Sequence, residues 1–314
     1  MPKREINIGL ELNSNSVIPI IGMLDNFINQ DIDTELDLIF TGTKFVRPGG
    51  LTPLLAYLAS YKNDDDGKMI TLKATKTSDV NLYLSRMGFY TLLGLEDTYP
   101  YNRKPAKGRF QEPYIFSVDT NPQVVTEKSS NIINTFIKNR HTQNYNEAIG
   151  WCINEIIDNA HARSNSKTSV IMAQKYNSGN TEFCVSDCGI GIRNSMGEDN
   201  IETALRKCIT TAKGINSDGC GKGLFYTAEL IKRDTSGKCS MTIWSEDYIL
   251  MLYSGMDEPQ VKQVESFWQG VNISISMYNG ISTSITELMK NIDNQDYSFS
   301  YDEQTEYYEN LFEN

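Results

Sequence analysis

Two short glycine-rich turns in the second half of the chain constrain its folding more than any other feature. In "VSDCGIGIRNS" a β-rich run ends at Asp187 and is followed at once by Gly189 and Gly191. In "GCGKGLFYTAELIKR" Gly219, Gly221 and Gly223 stand directly before an apolar-periodic helix. Glycine lets a backbone turn sharply or approach another chain or a ligand closely. Upstream of both lies "NEIIDNAHARS", Asn154 to Ser164. There Ile149, Cys152, Ile153, Ile156 and Ala160 recur at helical spacing and form an apolar stripe. Glu155 and Asn159 stand beside that stripe, one helical turn apart. Taken singly, these features also describe a solvated helix edge, an Asp-Gly turn and an ordinary helix start.

The flanking sequence reads as layers of strands and helices. With 314 residues, 39% of them hydrophobic, the chain can bury a core, and its length favours two domains. Up to about Glu96, β-runs ("EINIGLEL", "ELDLIF", "KMITLKA") alternate with helical patterns ("SVIPIIGMLDNFINQ", "GGLTPLLAYLASYK", "DVNLYLSRMGFYTLLG"). Such alternation predicts an α/β domain over 1–96. Pro19 requires the first of these helices to start just before it. A Pro-, Gly- and Lys/Arg-containing stretch, Asp97 to Pro113, reads as a linker. From Tyr114, two helices precede the strands "KTSVIMAQKY" and "TEFCVSD". After the second glycine turn, "KCSMTIWS", "YILMLYS" and "VNISISMY" complete a sheet, giving a second domain over 114–285. Residues 286–314 form an acidic, tyrosine-rich tail of the kind that often serves in interactions.

Several function classes are disfavoured. A net charge of -11 argues against a dedicated nucleic-acid binder, which needs a basic face. The opening "MPKREINIGLELNSNS" lacks the apolar core of a signal peptide, and "SVIPIIGML" is too short to span a bilayer. Six cysteines without a C-x-x-C pair, and two histidines, point away from zinc and toward a reducing cytoplasm. His141 and His161 read as surface or structural residues.

Two resemblances sharpen the reading. "LDLIFTGTKFVRPGGLTPLLAYL" resembles the strand, turn and helix of a STAS-like domain. Many STAS domains of anti-sigma antagonists carry a phosphorylatable Ser or Thr just before the Gly-Leu. Here Arg47, Pro48, Gly49 and Gly50 hold no hydroxyl, so a scaffold without that switch is expected. The second half resembles the GHKL nucleotide-binding fold, shared by gyrase, certain chaperones, histidine kinases and mismatch-repair ATPases. "NEIIDNA" is similar to its N-box, "DCGIGI" to its first glycine box and "GCGKGL" to its second, in the family's order, within about Thr142 to Tyr278. The resemblance implies a Bergerat-type α/β sandwich, a mixed sheet covered by helices, that binds ATP and Mg²⁺.

It also implies roles. Asn159 would bind the metal. Asp187 would accept from the adenine amino group, with Gly189 and Gly191 shaping that side. Gly219, Gly221 and Gly223 would close over the phosphates, with Lys222 within reach of one. Thr242 is a candidate adenine-side hydroxyl, with Ser240 as an alternative. About Arg193 to Asp218 would form a mobile lid. Glu155 would be the general base, as in the hydrolytic branches of the family and in its anti-sigma serine kinases. Histidine kinases usually carry Asn there. The expected activity is Mg-dependent ATP hydrolysis coupled to a conformational or partner-binding switch. The alternatives are a Ser/Thr protein kinase and a nucleotide-gated module with little turnover. A protein partner is expected, and a homodimer is among the options because ATP-dependent dimerisation is frequent in related folds.

Overall fold

The computed structural model describes residues 4–30, 35–61, 69–75, 78–96, 106, 109–137, 143–210, 223–278 and 286–290. They form a mixed α/β architecture with parallel and antiparallel sheets. In the first half, β1 (Arg4–Asn7), β3 (Glu35–Ile39) and β5 (Met69–Lys73) make a parallel sheet in the order β1-β3-β5. The short strands β2 (Glu11–Leu12) and β4 (Phe45–Val46) pair separately. The helices are α1 (Val17–Gln30), α2 (Pro48–Tyr61), α3 (Asp79–Arg86) and α4 (Phe89–Leu92). Pro19 lies in the first turn of α1, where no backbone donor is required.

Two elements expected to be continuous are divided. "EINIGLEL" becomes β1 and β2, in different sheets, because Gly9 turns the chain at φ 84. The helix expected from Asp79 to Gly94 breaks at Gly88, which takes a left-handed conformation between α3 and α4.

In the second half, five antiparallel strands are ordered β6-β7-β8-β10-β9. They are β6 (Phe110–Phe116), β7 (Ser169–Lys175), β8 (Asn180–Asp187), β9 (Ser240–Tyr253) and β10 (Gln260–Tyr278). β6 begins inside the expected linker, where Phe110 and Gln111 pair with β7. The two strands expected from Lys238 to Ser254 are one, β9, kinked at Glu246 (φ 52) where the register against β10 shifts.

The sheet is buried on both faces. Ile171, Ala173, Phe183, Val185, Ile273 and Ile275 face one core with α5 (Pro122–Ile137), α6 (Gln143–Asp158), α8 (Ile201–Thr210) and α9 (Gly223–Lys232). Val170, Met172, Trp244 and Trp268 face the other, packed with Ile21, Leu54 and Leu55 of α1 and α2. The two halves therefore share a core. With period-two alternation and both faces covered, β8 is buried at nearly every position.

Helix α2 lies along the back of β8. Near its start, the Gly49 N–H donates to Glu182 Oε1 at 3.1 Å, and further along, the Cys188 thiol approaches the Ala56 carbonyl at 3.8 Å. The turn that opens α2 is thus capped by a carboxylate from β8. Arg47, from the same turn, bonds Glu11 at 2.5 Å and lies 3.7 Å from Glu182, whose other oxygen accepts from the Tyr176 hydroxyl at 2.9 Å.

The first part of the expected lid belongs to the body of the protein. After α7 (Gly191–Met196), α8 packs Ile201, Ala204, Leu205, Cys208 and Ile209 into the core. The rest of that segment, 211–218, lies outside the described residues, as do Gly219, Gly221 and Lys222. So do His141 and most of the acidic tail, of which Leu288 is buried against the core. Among the described residues, no helix is long and apolar enough to cross a membrane.

Candidate functional site

Helix α6 organises the site. Cys152, Ile153, Ile156 and Ile157 bury its apolar stripe and fix which way its remaining side chains point. After Asp158 the helix widens into a π-helical turn, Asn159–Arg163, an uncommon geometry that is frequent at functional sites. The turn is anchored by His161, buried against Phe116, with its Nε2 2.8 Å from the Thr120 carbonyl. His161 is therefore structural, as its sequence context suggests.

Gly189 and Gly223, one from each glycine-rich stretch, both close onto this one helix. At its far end, the Ile190 N–H donates to the Ser164 carbonyl at 2.8 Å. A Cβ on Gly189 would sit 2.0 Å from that same carbonyl oxygen, so no other residue fits without displacing the turn. Gly191 has φ +76, and a Cβ there would press the Gln269 carbonyl at 3.0 Å. At the near end, Gly223 opens α9 directly against Glu155. A Cβ on Gly223 would lie 2.5 Å from Glu155 Cβ and 2.9 Å from Oε2. The Glu155 carboxylate consequently sits beside the N-terminal turn of α9, where the helix dipole favours negative charge.

Asp187 ends β8 on the same sheet face, since Val185 and Phe183, two and four residues before it, pack toward α6. Its Oδ1 accepts the Gly189 N–H at 3.0 Å, and the Val271 N–H is a second backbone donor. A carboxylate has about four acceptor positions, so two remain for a ligand. Its backbone carbonyl accepts the Trp268 indole N–H at 3.0 Å, and the Trp268 ring meets Trp244 and Tyr57 in tilted contacts. Gly270 crosses so close that a Cβ would meet the Asp187 carbonyl oxygen at 2.0 Å.

Burial dominates the electrostatics. It pushes the Glu155 carboxyl up to about 7, with Asp158 raising it further and Arg163 opposing. Arg163 follows Asn159 on the π turn. Burial likewise pushes Asp187 up to about 7, partly offset by the two backbone N–H donors. Both carboxyls exchange protons near neutrality and so are suited to proton transfer or to recognising a donor. Asn159, half-buried, is one turn from Glu155.

Thr242 is not brought to this site. It pairs with Ser274 on the opposite sheet face, where the Ser274 hydroxyl lies against Gly49 of α2. Ser240 pairs with Ser276 and shares that parity. The hydroxyl on the Asp187 side is Ser245, which the sequence reading missed. Its Oγ donates to the Gly270 carbonyl at 2.7 Å and accepts the Ile192 N–H at 3.3 Å. An odd offset from Thr242 along the strand was the available signal, since one step reverses the face. Val271, an aliphatic residue, is the β10 residue in register with Asp187.

Compared with known families and with curated proteins, the chain matches no family model and no curated sequence.

Proposed function

We propose that this protein binds ATP with Mg²⁺ at the face of α6 and hydrolyses it to drive a conformational or partner-binding switch. The observation that carries this reading is the clamping of the α6 helix and its π turn between two glycines distant in sequence, Gly189 against Ser164 and Gly223 against Glu155. A Bergerat-type site requires those three motifs around one helix, whereas a purely structural helix has no need of glycine at both contacts. In the finer fold assignment, the GHKL half rests on the same motifs and the STAS-like half on "LDLIFTGTKFVRPGGLTPLLAYL".

The residues fit such a ligand. Asp187 is buried with acceptor capacity to spare, suited to an exocyclic amine, and Gly189 and Gly191 bring backbone close to a base. Asn159 offers an amide oxygen to Mg²⁺, which keeps several waters and takes phosphate oxygens as further ligands. Bound Mg²⁺ would neutralise the charge that develops on the transferring phosphoryl group. Gly219, Gly221, Lys222 and Gly223 are assigned to the phosphate side. Arg163, close enough to influence Glu155, adds a cation there.

Glu155 is the base. Its pKa of about 7 lets it take a proton from an attacking hydroxyl at neutral pH and release it afterwards. The acceptor is water in a hydrolase and a partner's hydroxyl in a Ser/Thr kinase. The N-terminal half packs on the back of β8, the strand that ends at Asp187, and a switch would act through that contact. Incubation with γ-labelled ATP tests the reading. Free phosphate that disappears in Glu155→Gln supports hydrolysis. Label on a co-purified protein supports the kinase. Absence of nucleotide binding refutes both.

A further inference from the structure

Beside Asp187 stands a second buried polar group. Ser169, the first residue of β7, is in register with Asp187 at the end of β8. Their flanking residues are bonded, the Cys188 N–H donating to the Thr168 carbonyl at 3.1 Å, so Ser169 and Asp187 form a non-hydrogen-bonded pair. In such a pair the side chains run side by side, with Cβ atoms about 4.5–5.5 Å apart. They share a face. Ile171 and Ala173 follow Ser169 at period two and pack into the core that α6 covers, as Val185 and Phe183 do before Asp187.

Ser169 is fully buried, and its Oγ meets no hydrogen-bonding group among the described residues. The nearby buried hydroxyls do: Ser164 Oγ donates to the Ala160 carbonyl at 2.5 Å, and Ser166 Oγ to the Thr168 carbonyl at 2.7 Å. The same row across the sheet continues with apolar residues, Phe116 on β6 beside Ser169 and Val271 on β10 beside Asp187. Two polar groups thus stand together between apolar flanks. A valine would fill the space of Ser169 without the cost of an unpaired hydroxyl.

We infer that Ser169 is a ligand-contacting residue of the site: its Oγ accepts the second hydrogen of the exocyclic amine whose first hydrogen goes to Asp187. This role presupposes that the site on α6 takes ATP. A primary amine on a purine carries two N–H donors, and a carboxylate oxygen takes one of them. A serine oxygen has two acceptor lone pairs. With the two Cβ atoms so close, a nitrogen about 2.9 Å from an Asp187 oxygen can also lie about 2.9 Å from Ser169 Oγ. The pair then reads an unsubstituted amine. A base alkylated on that nitrogen loses one contact and presses its alkyl group on Ser169. The ligand class selected is a purine nucleotide with a free exocyclic amine.

Displacement of a fluorescent nucleotide from the full chain, by ATP and by N6-methyl-ATP, tests it. The wild type is expected to prefer ATP by at least about fivefold. Ser169→Ala should weaken ATP about three- to tenfold, as for one neutral hydrogen bond, and leave N6-methyl-ATP no weaker, so that the preference collapses. Without nucleotide, the variant should unfold at the same denaturant concentration as the wild type or a higher one, since an unpaired hydroxyl is removed. A hydroxyl with a purely structural role would lower that midpoint and leave the preference as it was, which overturns the proposal. Undiminished ATP affinity in Ser169→Ala, a preference that persists in it, or no preference in the wild type overturns it as well. These failures leave nucleotide binding standing, whereas a wild-type protein that binds no nucleotide refutes the site and the role of Ser169 together.

Discussion

Glu155 and Gly223 are in direct contact. The first residue of α9 lies so close to the Glu155 side chain that a single methyl group would have to share its space, 2.5 Å from Cβ. A half-buried carboxylate and the start of a helix 68 residues further along are thereby held as one unit. Gly223→Ala is expected to push α9 and α6 apart and to cost about 1–3 kcal/mol of stability, the usual range for overpacking. Nucleotide affinity should fall with it. Chemical denaturation and a fluorescent-nucleotide titration measure the two effects. An alanine variant with wild-type values for both would show that the contact yields without consequence.

Replacing Glu155 by Gln keeps the shape and removes the base. Turnover of ATP should fall by about 10²–10⁴-fold, the range typical of a lost general base, with nucleotide binding retained. Because the base must be ionised to act and its pKa is about 7, the wild-type rate should rise as pH increases through neutrality and level off above it. A flat profile between pH 6 and 8 would place the proton elsewhere.

Asp187 gives a separate, equilibrium prediction. Its carboxyl is pushed up to about 7 in the folded protein, from an ordinary value of 3.8. The folded state thus holds the proton more tightly than the unfolded chain. The stability this brings is fully present below about pH 4 and is lost as pH rises through 7. Asp187→Asn removes that loss, so the variant should gain on the wild type between pH 5 and pH 8, whatever constant offset the substitution carries. Urea unfolding at the two pH values measures it. A pH-independent difference would mean that the carboxyl titrates normally.

Gly189 and Gly197 form a matched pair for testing the glycine turns. Both precede or end short helical segments, but a Cβ on Gly189 meets the Ser164 carbonyl at 2.0 Å, whereas one on Gly197 meets nothing within 4 Å. Gly197→Ala should cost only its backbone strain at φ +65, about 1 kcal/mol. Gly189→Ala should cost clearly more and abolish nucleotide binding. Equal costs would remove the case for a built contact at Gly189.

Glu182 tests the seam between the halves. Glu182→Ala leaves the Gly49 N–H and the Tyr176 hydroxyl without their buried acceptor. A loss of about 2–4 kcal/mol is expected from two such groups. If the seam carries a signal, nucleotide affinity should change as well, although Glu182 faces away from the α6 side. A stability loss with unaltered affinity would make the contact purely structural.

Much of this was legible along the chain because it depends on local order. The apolar period of α6 sets its buried stripe and places Glu155 and Asn159 together beside it. Glycines immediately after a strand or before a helix announce close backbone approach wherever they occur. Pro19 fixes the start of α1 within a turn. Each is a property of residues a few positions apart, and each survives in the fold.

What the linear order leaves open is which distant surfaces meet. That Gly189 needs Ser164, and Gly223 needs Glu155, follows only once strand and helices are packed. Face assignment is likewise collective. Thr242 and Ser245 are both hydroxyls on one strand, but pairing with β10 turns the first toward α2 and the second toward Asp187, because side chains alternate and the register decides the phase. The lid reading of 193–210 gave way to α8 because its apolar face finds the core. Residues of the two halves meet in one core because the sheet presents an apolar face to α1 and α2. Local sequence determined the elements and the chemistry each carries. Tertiary packing decided which of those chemistries stand together, since burial and register are set between segments and not within them.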